Sequence, residues 1–109
     1  MMKKLLVALM LAALAPSVYA GNSAGKVNSF LVTRYGNLFF KAGVPQSAPA
    51  CSVAGEYAVS LVGADGPAGK AILAAIMAAH AGGKNVYVIG NGKCDVAGDR
   101  ETVEYVVIE

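Results

Sequence analysis

One histidine, His80, and two cysteines, Cys51 and Cys94, are all that this 109-residue chain holds of imidazole and thiol chemistry. There is no CxxC pair and no histidine close to either cysteine, so a zinc ribbon or a Cys–His catalytic couple has no sequence basis. Charge is scarce as well. Nine Lys plus Arg stand against seven Asp plus Glu, a formal +2, and Lys3 and Lys4 carry that excess. From Gly21 onward the chain is formally neutral, which removes the surplus of positive charge that nucleic-acid binding requires.

The amino end supplies what the rest lacks. In MMKKLLVALMLAALAPSVYA, Lys3 and Lys4 precede an apolar run from Leu5 to Ala15, and Pro16 and Ser17 then break it. Val18-Tyr19-Ala20 places small residues at the positions a signal peptidase reads, so cleavage between Ala20 and Gly21 is expected. A membrane anchor needs roughly 18 apolar residues, more than this run contains. No cysteine follows the cleavage point to take a lipid. The mature chain, Gly21 to Glu109, is therefore expected in the periplasm or outside the cell. There, an even pair of cysteines reads as one disulfide, Cys51 to Cys94. Closing a loop of about 43 residues would stabilise a small fold by roughly 4 kcal/mol on the chain-entropy estimate.

A single OB-like domain is read over 21–109, mostly β with one helix. Residues 21–26 look like a flexible end. VNSFLVTRYGNLFFKAG alternates as two strands around Tyr35-Gly36-Asn37, with Val27, Ser29, Leu31 and Thr33 sharing one face. EYAVSLV is a third strand with Tyr57, Val59 and Leu61 on one side. NVYVIG and ETVEYVVIE are the fourth and fifth, separated by the polar turn that carries Cys94. A helix between strands three and four completes the element order of an OB-fold, a partly open five-stranded Greek-key barrel commonly used for binding.

That helix, AILAAIMAAHAGGK, opens after Asp65, a possible cap, and Pro67, and closes at Gly82-Gly83. On a wheel of about 100° per residue, Ile72, Leu73, Ile76, Met77 and His80 share one arc and are expected to face the sheet. Ala71, Ala74, Ala75, Ala78, Ala79 and Ala81 occupy the remainder, with Lys70 at the edge. About a dozen helical residues reach roughly 18 Å, short of a bilayer core of about 30 Å. No membrane span is expected in the mature chain. The alanines are either helix formers and no more, or a face on which a partner packs closely.

Motifs of chemistry fail one by one. ADGPAGKA matches only the Gly69-Lys70 of a phosphate-binding loop, lacking its first glycine and its hydroxyl. Asp95, Asp99 and Glu101 do not keep the oxygen rhythm of a calcium loop. His80 sits among apolar neighbours with no nucleophile in sight, so packing or capping is its expected role. No catalytic residue, metal ligand or cofactor is assigned, no ligand-binding set is identified, and the chain reads as a non-enzyme.

The leader, the cysteine before strand three, the helix ending in AGGK, the strand NVYVIGNGKC and the closing ETVEYVVIE together resemble one family. These are small secreted bacterial proteins similar to the B subunit of subtilase cytotoxin and its pertussis-like relatives. The resemblance implies an OB-fold, a homo-oligomeric ring of five, recognition of host glycans and a separate enzymatic subunit. No sugar-contacting residue is carried over from it. From the residues themselves, Tyr35 and Asn37 offer a ring to stack on a sugar and an amide to hydrogen-bond it. The alternative expectation is an accessory or inhibitor protein that docks another protein through the alanine face or an edge strand.

Overall fold

A computed structural model describes residues 20–109. The expected leader over residues 1–19 lies outside the described residues, and Ala20, its last residue, is exposed. Five strands and one helix follow: β1 (Asn22–Val32), β2 (Asn37–Ala42), β3 (Tyr57–Ser60), α1 (Gly66–Gly82), β4 (Asn85–Gly90) and β5 (Glu101–Ile108). The strands pair in the order β1-β2-β3-β5-β4, and β4 pairs back onto β1. The result is a barrel-like ring with the helix between strands three and four, the OB-like arrangement expected from the element order.

β1 serves two partners. Its first half, Asn22–Lys26, runs antiparallel to β4, and its second half, from Val27 to Val32, pairs with β2. Residues 22–26 are therefore ladder, not the flexible end expected. They carry no large apolar side chain to signal a strand, and Ser23 is the residue they turn inward. A register shift between Val27 and Ser29 then breaks the expected alternation. Val27 stays buried and Phe30 packs on the core, while Leu31 and Val32 face out. A bulge of this kind flips the side-chain phase of everything after it.

Leu38 and Phe40 of β2, Tyr57 and Val59 of β3, Val86 and Val88 of β4, and Ile76 of α1 fill the interior. Leu61, just past β3, joins them, as the third-strand face predicted. Each large aliphatic side chain taken from water contributes about 1.5–3 kcal/mol.

The helix docks along a narrow stripe. Gly69, Ile76 and Ala79 are buried, with Ile72 and Leu73 half-buried beside them. Met77 is 49% exposed and His80 is also exposed, so the inward arc is rotated from the one expected towards Ala79. Close approach is the cause: a side chain at Gly69 would run into the Ser60 carbonyl, so small residues mark the contact line. Asp65 makes no side-chain cap, and Pro67 occupies the first turn as expected. At the far end Gly83 adopts φ 63°, a left-handed cap, and the Lys84 N–H donates back to the Ala79 carbonyl at 2.9 Å. His80 serves packing: its Nδ1 lies 3.1 Å from the Val27 carbonyl and its ring meets Phe30 edge-on.

Cys51 and Cys94 are joined, with their Cα atoms 6.2 Å apart. The bond ties the loop between β2 and β3 to the loop between β4 and β5. Two backbone bonds from Val53 and Ala54 to the Asp99 carbonyl run beside it, as does an Arg100–Glu56 ion pair at 3.0 Å. Among the described residues no helix is long and apolar enough to cross a membrane. The disulfide is compatible with an extracellular or periplasmic protein.

Candidate functional site

The ring is weakest where β3 meets β5. These strands run parallel and pair through Tyr57 with Glu101 and Ala58 with Thr102 only. Beyond that point Val59 and Ser60 part from Val103 and Glu104, and the N-terminal turns of α1 lie beside the gap. A cleft of about 280 Å³ opens there. Its apolar lining comes from Val59, Ile72, Val96 and Val103, and its polar lining from Ser60, Asp65, Asn91, Asp95, Thr102 and Glu104.

Three carboxylates around one cleft set its sign. Lys93 is the nearest base in sequence to Asp95, and among the described residues no Lys or Arg lines the cleft itself. An anionic ligand would meet like charge, whereas hydroxyls or an ammonium group would find acceptors. Asp95 accepts a short hydrogen bond from the Thr102 hydroxyl, which is the main reason its carboxyl is held below the usual aspartate range. Thr102 Oγ1 in turn accepts from the Val96 N–H at 3.4 Å, and Asn91 Oδ1 accepts from the Lys93 N–H at 2.8 Å. The polar rim is thus braced by its own loop. Ser60 is similarly occupied, since its hydroxyl donates to the Val62 carbonyl at 3.0 Å.

Behind the cleft, on the inward side of β5, lies a second polar group. Glu101 is fully buried, and its Oε2 accepts from the backbone N–H of Gly21 at 2.9 Å and of Gly92 at 2.8 Å. Ser23 Oγ, Tyr57 Oη and Glu101 Oε1 are sealed from solvent and have no hydrogen-bond partner among the described residues. Burial raises the Tyr57 phenol above its ordinary value; the neighbouring Ser23 hydroxyl opposes that shift and the Glu101 charge adds to it.

Several residues singled out in the sequence are not brought together. Asp95 belongs to the cleft, Asp99 pairs with Arg100 at 2.7 Å, and Glu101 is interior, so the three acids form no loop site. Among the described residues no group of three or more His, Cys, Asp or Glu is arranged to hold a metal ion. Gly69 of the rejected phosphate motif is pressed against β3. Tyr35 is 71% exposed and lies outside the cleft; its hydroxyl accepts from the Arg34 guanidinium at 3.0 Å, with the cation 5.0 Å from its ring centre. The cleft residues had no sequence signal as a set. Only the splaying of β3 from β5, a tertiary event, gathers residues from positions 59 to 104. Compared with known protein families, with curated proteins and with solved structures, the chain matches none.

Proposed function

We propose that the chain is an exported, non-enzymatic binding module, its leader removed after Ala20, that takes an uncharged or amine-bearing glycan in the cleft beside the β3–β5 seam. The carrying observation is the lining itself: hydroxyl, amide and carboxylate acceptors share one cleft with the apolar Val59, Ile72 and Val103. Sugars present that same alternation of hydroxyl edges and C–H faces, and few precisely placed polar groups fix their orientation. A non-catalytic role fits the state of the single histidine. His80 is engaged with Val27 and Phe30, leaving the Ser60 hydroxyl without that base. Assembly into a ring of like subunits belongs to the same reading through the resemblance to toxin B subunits. The outward Tyr105 and Val107 of β5, 50% and 44% exposed, supply apolar surface for it.

A second reading has its own observation. Ala71, Ala74, Ala78 and Ala81 are exposed and bear no charge, a smooth face on which another protein could seat as on an accessory factor. A glycan array with the mature protein tests the first reading. Binding to neutral or amino-sugar glycans, lost in Glu104→Ala and weaker for sialylated or sulfated ones, is the expected outcome. No binding anywhere on the array removes it. Light scattering separates the two, a ring favouring the glycan module and a monomer the accessory protein.

A further inference from the structure

A buried carboxylate without a cation is costly unless its charge is met by a partner or by several strong hydrogen bonds. Glu101 is fully buried, and the two ion pairs among the described residues both belong to Arg100. Two backbone N–H groups reach one of its oxygens, and among the described residues the other oxygen has no partner. One of those donors is Gly21, the residue that cleavage would turn into the amino terminus.

We propose that Glu101 is the docking site for the α-ammonium of Gly21, formed when the Ala20–Gly21 bond is cut. The proposal rests on the leader removal proposed above. Hydrolysis by the exporting cell's leader-cleaving protease adds water across that bond. Ala20 departs as the carboxylate, and the Gly21 nitrogen gains a hydrogen and then, at neutral pH, a proton. One N–H facing Oε2 at 2.9 Å becomes an ammonium with three, enough to reach the unpartnered Oε1 as well.

The surroundings are built for this. A side chain at Gly21 or at Gly90 would collide with the Glu101 carboxylate, so both positions leave the space it occupies. The Gly21 carbonyl accepts from the Gly90 N–H at 2.9 Å, and Asn22 exchanges backbone bonds with Gln46 at 2.9 and 2.7 Å. The nitrogen is therefore fixed from its first bond onward, with Gly21 buried and Ala20 exposed. Processing would thus complete the interior beside the β3–β5 seam.

The test uses the protein recovered from an exporting host, its mass measured first, alongside a version that starts at Ala20 and the Glu101→Gln form of each. A native mass starting at Gly21 is expected, with its α-amine labelled by an amine-reactive reagent at least about tenfold more slowly than that of the Ala20-start protein, as expected if the charged form is favoured by one pKa unit or more. The Ala20-start protein should melt about 5 °C lower or more, and that difference should vanish in the Glu101→Gln pair. Should Glu101→Gln fail to fold, the labelling comparison still decides. A Gly21-start protein whose amine labels freely and whose melting matches the Ala20-start form overturns the pairing while leaving export intact. A native mass with another start overturns leader removal at this bond, and the pairing with it.

Discussion

The ring closes twice, and the two closures are built differently. β4 meets β1 through five residue pairs, Asn22 with Ile89 to Lys26 with Asn85, and at the end of that ladder the Glu101 carboxylate accepts from the N–H groups of Gly21 and Gly92. β3 meets β5 through two pairs, and beside that short contact are gathered the disulfide and the Arg100–Glu56 ion pair. Covalent and ionic ties flank the shorter of the two ladders. The difference also explains the cleft. Strands that separate after two residues leave a gap, and the ties in the adjoining loops let the gap stay open without the ring coming apart.

Breaking the covalent tie should have the largest effect. Cys51→Ser with Cys94→Ser is expected to lower unfolding free energy by about 4 kcal/mol, read by denaturant melts, with the loss far smaller if the β3–β5 seam needs no tie. Next comes the contact that places the helix beside the cleft. Gly69→Ala pushes a methyl into the Ser60 carbonyl, and overpacking of this kind should cost about 1–3 kcal/mol. Arg100→Ala removes a partly buried ion pair and a cation stacked 4.4 Å from the Phe39 ring centre. A loss of about 1 kcal/mol is expected, with the β1–β4 amides keeping their exchange protection.

The smallest effect sharpens the comparison by pH. The Tyr57 phenol is raised above its ordinary 10.0 chiefly by burial. The folded state then holds that proton more tightly than the unfolded one, so the contribution is fully present below pH 10 and lost as pH rises through the folded value. Alkaline melts should show falling stability there, and Tyr57→Phe should flatten it while leaving neutral stability nearly unchanged. An unchanged alkaline slope in Tyr57→Phe would mean another group is responsible.

Much of the architecture was legible because it rests on local signals. The two glycines after His80 stop the helix, Pro67 starts it, and the apolar alternation in EYAVSLV and NVYVIG marks strands with a buried side. Cysteine parity anticipated the bond between loops. The misreadings share one cause, namely side chains too small to announce their place. Ser23 faces inward from a stretch that looks like a tail, and Ala79 takes the buried position that Met77 seemed to claim. Glu101 looked like one acid of a solvated turn. Its burial depends on Gly21 and Gly90 leaving room for it, a fact of contact between distant segments. The cleft was hidden for the same reason, since its carboxylates come from a helix entry, a loop and a strand.

The most direct test is a titration of isotope-labelled mature protein with neutral and amine-bearing saccharides, followed by backbone amide shifts. Shifts confined to Ser60, Asn91, Asp95, Thr102 and Glu104, with the β1–β4 ladder still, are expected if the parted seam is the binding site. Shifts along β1 and β4 instead, or none with any saccharide, would contradict it.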